Sequence, residues 1–253
     1  MTDLAVLLGH GIGYSASPAM HNAAFAALEM DARYELRDVD SLNLADEVAV
    51  LLEYGRIGAN VTTPHKIAVC QLVDELGPEV RRLGAANTIV RHGDRLVARN
   101  TDVAALAAAL PSGINRAVVL GAGGASRAVV ACLREAGCAQ VLVLDRARWA
   151  SLPGAIATAE LLVNATPIGT GSDETPVPAR LLRPGLWILD LVYRPSPTRL
   201  VREAREAGAE ARDGAGVLLR QASLSFTLWT GREAPVEVMR RALQVELGAT
   251  ARA

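Results

Sequence analysis

Gly121-Ala122-Gly123-Gly124-Ala125-Ser126-Arg127 stands between the apolar run Arg116-Ala117-Val118-Val119-Leu120 and a segment of helical composition, Ala128 to Glu135. A strand, a glycine turn and a helix in immediate succession make a frame for phosphate. Glycines permit a tight turn and close backbone approach, and a helix N-terminus offers unpaired N–H groups to a pyrophosphate. The pattern is GxGGAS, with Ser126 in the place of the last small residue of GxGxxG. On spacing alone the turn serves either a dinucleotide or the tight packing of helix on strand. The rest of the chain has to decide.

The 253 residues leave room for one large or two modest domains. Apolar residues make up 51% of the chain and aromatics 4%, which suits an α/β protein whose helices pack on a sheet through Ala, Val and Leu. A net charge of −1 gives nucleic acid and anionic membranes no general attraction. Lys66 is the single lysine among 26 basic residues, which singles out its ammonium. Cys70, Cys132 and Cys138 are odd in number and form no CxxC pair, so they read as buried thiols of a reducing cytoplasm. His10, His21, His65 and His92 lack HExxH spacing and give a catalytic metal no support. The start, Met1-Thr2-Asp3-Leu4, carries no basic leader, and no apolar run reaches membrane-spanning length. These features describe a soluble cytoplasmic protein.

Upstream of the glycine turn, Leu4 to Leu8 reads as a strand ended by Gly9-His10-Gly11-Ile12-Gly13. Ser17-Pro18 reads as an N-cap followed by an N1 proline, opening a helix over Ala19 to Met30. Arg33 to Val39 is a second strand, Leu42 to Tyr54 a helix, and Gly58 to Thr62 a third strand ending at Thr63-Pro64. Ile67 to Leu76 has helical composition; Ala86 to Arg91 and Arg95 to Ala98 form a hairpin around His92-Gly93-Asp94. Thr101-Asp102 caps a helix running to Leu110. Downstream, Gln140 to Leu144, Leu161 to Val163 and Trp187 to Leu191 are strands, Val201 to Ala207 is a helix capped by Gly208, and Gly216 to Leu247 is two helices broken near Gly231-Arg232. Strands alternating with helices imply a largely parallel sheet. A domain junction falls near Arg99-Asn100.

Four polar clusters sit where strands end, the place where open α/β sheets bind ligands. Ser15 and Ser17 precede a helix, where their hydroxyls either cap it or donate together to a carboxylate. In Asn60-Val61-Thr62-Thr63-Pro64-His65-Lys66, strand alternation sends Asn60 and Thr62 to one side, and Lys66 opens the next helix. A cation there opposes the helix dipole, an argument for function. Lysine in a cleft exchanges protons once desolvation lowers its pKa; His65 beside it reads as a packing or surface residue. Ala86-Asn87-Thr88 with Asn100-Thr101-Asp102 is the third cluster, Asp102 being either a cap or a working carboxylate. Asp213-Gly214-Ala215-Gly216 leading to Gln221 is the fourth, with Gln221 either a ligand-binding amide or solvent-facing.

SxSPxxH at Ser15 to His21, NVTxPxK at Asn60 to Lys66, ANT at Ala86 to Thr88 and NTD at Asn100 to Asp102 occur in this order. GAGGASR, NATPxG at Asn164 to Gly169, and DGxGxLxxQ ending at Gln221 follow. The series resembles the shikimate dehydrogenase family over nearly the whole chain. The resemblance implies a substrate-binding and catalytic α/β domain over residues 1–100 and a Rossmann-like NAD(P)-binding domain over 101–214. Residues 215–253 would be helices packing back on the first domain. It implies reversible reduction of 3-dehydroshikimate to shikimate with a nicotinamide dinucleotide, by a monomer or homodimer. Carried over, Lys66 and Asp102 form the catalytic pair, and Ser15, Ser17 and Thr62 hold the substrate carboxylate. Asn87, Asp102 and Gln221 bind ring hydroxyls, and Tyr193 sits near substrate or nicotinamide. Gly121, Ala122, Gly123, Gly124, Ala125 and Thr166 would flank the coenzyme. Carbonyl reduction needs a proton donor at oxygen as hydride reaches carbon, so a lysine in the site agrees with that chemistry.

Three departures from the family pattern bear on specificity. After the second strand of the coenzyme domain, NADP-preferring relatives carry Asn-Arg-Thr, where this chain has Asp145-Arg146-Ala147-Arg148. Asp145 would bind the ribose hydroxyls of NAD and repel a 2′-phosphate, while Arg146 and Arg148 would hold that phosphate. The coenzyme is NADP or NAD. Between Asp145 and Leu161 there is room for only a turn or a helical fragment where the family has a helix and a strand, so the domain is shortened by about one βα unit. Tyr14 and Val103 replace the family's usual His and Gly, which opens quinate or an aminoshikimate as alternative substrates; Ser17, threonine in quinate-preferring relatives, favours shikimate. A protein that binds such a ligand without turning it over is the remaining alternative, and the Lys66–Asp102 combination speaks against it.

Overall fold

The computed structural model describes residues 2–250, and the chain divides into two compact units. One comprises the residues up to Asp102 together with Leu219–Glu246, the other Val103–Leu218 with the residues from Leu247 on. Each unit is an α/β sandwich around its own sheet.

The first sheet takes β1 (Asp3–Gly9), β2 (Ala32–Asp38), β3 (Arg56–Val61), β4 (Glu75–Leu76), β5 (Thr88–His92) and β6 (Arg95–Arg99), in the order β2-β1-β3-β5-β6-β4. Its β1, β2 and β3 run parallel, while β5 is antiparallel to β3 and β6 and makes the expected hairpin. Helices α1 (Ser17–Ala27), α2 (Leu44–Ala49) and α3 (Pro78–Leu83) connect these strands. Alternation along β1 sends Leu4, Val6 and Leu8 to one face, where they join Val48, Leu51, Val69 and Val80 in a single core.

The second unit opens with α4 (Thr101–Ala109), whose first two residues belong to the first. It then runs β7 (Arg116–Leu120), α5 (Gly124–Glu135), β8 (Gln140–Leu144), α6 (Leu152–Thr158), β9 (Leu161–Asn164), β10 (Trp187–Asp190), α7 (Arg199–Glu206) and β11 (Glu210–Arg212). All five strands are parallel, in the order β11-β10-β9-β7-β8. Both faces are covered, so the strands read as continuous apolar runs. Ala117 and Val119 pack with Val129, Cys132 and Leu133 of α5, while Val118 and Leu120 pack with Ile156 of α6 and Leu200 and Val201 of α7. A doubly wound sheet with the order 3-2-1-4-5-6 that loses its third strand keeps the order seen here, with β8 left as the edge. The missing strand is the one that the short stretch after Asp145 could not supply. A 3₁₀ segment, Arg146–Ser151, and α6 lead straight to β9.

The last helices are α8 (Ala215–Thr230) and α9 (Val236–Thr250), separated around Gly231 as expected. No helix among the described residues is long and apolar enough to cross a membrane.

Several expectations need correction. Ile67 to Leu76 is not a helix: one 3₁₀ turn, Ala68–Gln71, gives way to β4, because pairing with β6 captures the chain through Asp74 N–H to Leu96 O and Glu75 opposite Val97. Lys66 therefore lies in a turn and opens no helix, and the dipole argument for it falls. Leu42 to Tyr54 shortens to α2 plus a 3₁₀ turn, Val50–Leu52. Ser17 is not the cap of α1 but its first residue; Ser15 Oγ accepts its N–H at 3.3 Å. Asp102 likewise lies inside the first turn of α4, and Asn100 Oδ1 accepts its N–H at 3.1 Å. That leaves both Asp102 oxygens for other partners. The sequence reading also missed α3 and β11.

Candidate active site

In the first unit, β3 and β5 bring Asn60 and Asn87 beside the start of α4 and the side of α8. Lys66 Nζ donates to Asp102 Oδ2 at 2.7 Å, and these side chains are 21% and 19% exposed. The pair is thus shielded enough to strengthen the interaction and still open to a ligand. Asn87 Nδ2 donates to the other oxygen, Asp102 Oδ1, at 2.8 Å. The orientation of this amide is fixed by chemistry, because Asn87 Oδ1 accepts the Thr101 backbone N–H at 2.7 Å and only an oxygen can do so. Gln221 is buried on α8 and its Oε1 stands 3.5 Å from Asn87 Nδ2, so the solvent-facing alternative fails. His65 is a packing residue, buried and 2.7 Å from the Val39 carbonyl.

Behind this layer lies a polar core, of which the sequence marked Asn60, Thr88 and His21 only as members of longer motifs and gave no role to Tyr34 or Ser225. The two N–H groups of Asn60 Nδ2 are shared among three acceptors, the Asn87 carbonyl, Thr88 Oγ1 and Ser225 Oγ, at 3.1, 3.1 and 2.9 Å. Its Oδ1 accepts from the Tyr34 hydroxyl at 2.9 Å. Tyr34 stacks on His21 with centroids 4.4 Å apart. His21 is fully buried, neither ring nitrogen has a hydrogen-bond partner among the described residues, and burial pushes its pKa down to about 3. Asn60 was legible as an amide inside an apolar strand. Ser225 offered only its position one helical turn after Gln221.

Ser15 and Ser17 follow β1, and Thr62 follows β3 directly. These strands are adjacent and parallel, with Leu8 opposite Val61, so both loops leave the same edge of the sheet. Gly9 is required there, since a Cβ would fall 2.5 Å from Thr62 Cγ2. Among the described residues, no hydrogen bond joins the side chains of Ser15, Ser17 or Thr62 to Lys66.

In the second unit, Gly121 takes φ +100, and a Cβ on it would lie 2.9 Å from the Ala165 carbonyl and 3.2 Å from Thr166 Cγ2. The turn after β7 is thus pressed against the turn after β9, where Thr166 Oγ1 donates to Asn164 Oδ1 at 2.6 Å. Gly123 and Gly124 are different. Beyond its chain neighbours and its own helix backbone, a Cβ on either would meet no atom of the described residues within 4 Å. They start α5, which has no side-chain cap and no acidic residue in its first turn. Backbone donors beside open space, at the carboxyl end of β7, fit a dinucleotide pyrophosphate, with Ala122 and Ala125 adding no bulk.

Asp145 and Arg148 are partly committed to local structure. Asp145 Oδ1 caps the 3₁₀ segment by accepting the Arg148 N–H at 3.1 Å, and Arg148 NH1 donates to the Val143 carbonyl at 3.2 Å. Arg146 is exposed, with no side-chain hydrogen bond or ion pair among the described residues. Tyr193 follows β10 in this unit, partly exposed, close in sequence to a second buried polar group that the sequence did not reveal. Burial pushes the Asp190 carboxyl up to about 6, against hydrogen bonds from Thr198, Val192 N–H and Asn164.

Residues 7–89 match the shikimate dehydrogenase substrate binding domain, and residues 214–244 match the shikimate 5'-dehydrogenase C-terminal domain. The chain is 41% identical to the shikimate dehydrogenase (NADP(+)) of Moorella thermoacetica, with 98% of this chain and 95% of that protein covered. Among solved structures, the shikimate 5-dehydrogenase of Thermus thermophilus in complex with NADP(H) and shikimate is similar with a TM-score of 0.87 at 35% identity, covering 97% of this chain and 100% of that one. Quinate dehydrogenase from Corynebacterium glutamicum in complex with NAD is similar with a TM-score of 0.84 at 29% identity, over 96% of this chain and 99% of that one.

Proposed function

The chain belongs to the shikimate dehydrogenase family, and on that premise we propose that it catalyses the reversible NADPH-dependent reduction of 3-dehydroshikimate to shikimate. The observation that carries this reading is the Lys66–Asp102 contact of 2.7 Å with Asn87 on the second carboxylate oxygen. A binding protein has no need of a lone lysine held by an oriented carboxylate.

In this reading the unit ending at Asp102, with the helices over Leu219–Glu246, holds the substrate, and the unit over Val103–Leu218 holds the coenzyme. Ser15, Ser17 and Thr62 offer three hydroxyls to the substrate carboxylate. Asn87, Asp102 and Gln221 take the ring hydroxyls, and Tyr193, in the coenzyme unit, is the candidate for contact with substrate or nicotinamide. Bound NADPH supplies the hydride for the carbonyl carbon. Lys66 Nζ delivers a proton to the carbonyl oxygen and recovers it from the hydroxyl in the reverse direction. Asp102 keeps that ammonium in place, and Asn87 keeps Asp102 from turning away. Gly121, Ala122, Gly123, Gly124, Ala125 and Thr166 would hold the coenzyme's pyrophosphate.

NADP is the coenzyme we favour. Asp145 is turned to its own 3₁₀ segment, and Arg146 is free to meet a 2′-phosphate, with Arg148 beside it. In this reading the protein works in the cytoplasm, as a monomer or homodimer. The test is a spectrophotometric screen of shikimate, quinate and aminoshikimate, each with NADP⁺ and NAD⁺. Shikimate with NADP⁺ is expected to give the highest kcat/KM, and Arg146→Ala to weaken the preference for NADP⁺ about 10-fold. No oxidation of shikimate with either coenzyme would sink the reading; quinate with NAD⁺ as the better pair would move it to the paralogue's activity.

A further inference from the structure

The hydroxyl of Ser225, on α8, lies 2.9 Å from Thr88 Oγ1 and 3.3 Å from Thr101 Oγ1, in addition to accepting from Asn60. Ser225 is fully buried. Thr88 Oγ1 donates to Asn87 Oδ1 at 3.0 Å, and Asn87 Nδ2 donates to Thr101 Oγ1 at 2.9 Å. Donors can be assigned around this set without conflict. Thr88 O–H goes to Asn87 Oδ1, Asn87 N–H to Thr101 Oγ1, Thr101 O–H to Ser225 Oγ, and Ser225 O–H back to Thr88 Oγ1. Each member donates once and accepts at least once. The Gln221 carbonyl, 3.0 Å from Ser225 Oγ, is the competing acceptor for the Ser225 proton.

We infer that Ser225 is a positioning residue: it closes a buried ring with Thr88, Asn87 and Thr101 whose one remaining donor, the second Asn87 N–H, is aimed at Asp102. The helix carrying it is held in register from both sides. Gln221 reaches Asn87 one turn before it, and Trp229 Nε1 donates to the Ile89 carbonyl at 2.9 Å one turn after it. There Gly58 leaves room, since a Cβ on it would run into Trp229 Nε1 and the Ile89 carbonyl. Residues 221, 225 and 229 fall on one helical stripe, so α8 is keyed to the strands that carry the site at three successive turns. A ring of this kind holds the Asn87 amide in one orientation, and through it the carboxylate beside Lys66. Opening the ring lets the amide and the threonine hydroxyls adopt other pairings.

The catalytic consequence rests on the dehydrogenase reading; the ring itself does not. Ser225→Ala and Thr88→Val each open the ring without touching Lys66, Asp102 or the coenzyme unit. Each is expected to lower kcat about 10-fold while KM for shikimate stays within about threefold. Thr88→Ser, which keeps the hydroxyl, is expected to retain wild-type kcat. In the double variant the second opening finds the ring already broken, so its kcat should fall within about threefold of either single variant. The same cycle read on urea unfolding midpoints should show the same coupling, with or without turnover. Losses in kcat that simply multiply, a Thr88→Ser as impaired as Thr88→Val, or unfolding midpoints that add independently would each overturn the ring. If Ser225→Ala does not fold, the Thr88→Val and Thr88→Ser pair carries the test alone. Coupled unfolding in a protein that never oxidises shikimate would leave the ring standing and remove the dehydrogenase reading instead.

Discussion

Around Lys66 the groups proposed to work are side chains held by other side chains, whereas at the glycine turn they are backbone N–H groups beside open space. Asp102 has both oxygens occupied, by Lys66 and Asn87, and Asn87 is itself fixed by Thr101 and Thr88. Gly123 and Gly124 have nothing near the place a Cβ would take. The first arrangement sets the position of a few atoms, which is what proton transfer at one oxygen demands. The second offers partial positive charge over an area, which is what a pyrophosphate demands. The two regions should therefore fail differently when single residues are changed.

The largest expected effect is at Lys66. Lys66→Ala removes the proposed proton donor and leaves Asp102 with Asn87 alone, so kcat should fall by about 10²–10⁴-fold, while the dissociation constant for NADPH, measured by fluorescence titration, stays unchanged. A comparable loss of NADPH affinity would contradict the division of labour between the regions, and unchanged turnover would remove Lys66 from the mechanism.

The buried side of the same region makes a pH-dependent prediction. Unfolded, His21 titrates near its ordinary value of 6.5, and folded at about 3 because burial excludes the charged ring. Below pH 6.5 the unfolded chain therefore binds a proton that the folded chain refuses. The stability from neutral His21 is fully present above 6.5 and is lost as pH falls, by roughly 1.4 kcal/mol for each pH unit between about 6 and the folded value. His21→Phe keeps an aromatic ring against Tyr34 and removes the titration. Urea midpoints taken at pH 7, 5 and 4 should fall more steeply for the wild type than for the variant; parallel lines would show that the ring is not held neutral.

What the sequence made legible was local. The turn after β7 announces itself by three glycines within four residues, the β5–β6 hairpin by Gly93, and the missing strand by the short distance from Asp145 to Leu161. The hydrogen-bond ring was not legible, because Thr88 and Ser225 are 137 residues apart and neither is unusual in its own segment. The helix expected over Ile67 to Leu76 failed for a related reason. Its composition favours helix, but Glu75 and Leu76 lie beside the exposed edge of β6, and strand pairing there outweighs a propensity worth a few tenths of a kcal/mol per residue. Asp102 illustrates the limit from the other direction: spacing left it as cap or carboxylate, and only the Asn100 side chain, by taking the capping role, frees it.

The smallest effect gives the sharpest contrast, because it compares two glycines of one turn. Gly121 has φ +100 and the Ala165 carbonyl 2.9 Å from any Cβ, so Gly121→Ala carries backbone strain and a clash. It should cost about 1–3 kcal/mol of stability, read as a lower thermal midpoint with or without coenzyme. Gly123 has φ −83 and ψ −169, an extended conformation open to any residue, with no protein atom near its Cβ direction. Gly123→Ala should therefore leave the thermal midpoint unchanged or slightly raised and weaken NADPH binding by roughly 10- to 100-fold, since the methyl takes space that a pyrophosphate needs. Shikimate affinity should not move in either variant that folds. If Gly123→Ala binds NADPH as the wild type does, the open space at the start of α5 is not the coenzyme's, and the glycines of this turn serve only to pack α5 on β7.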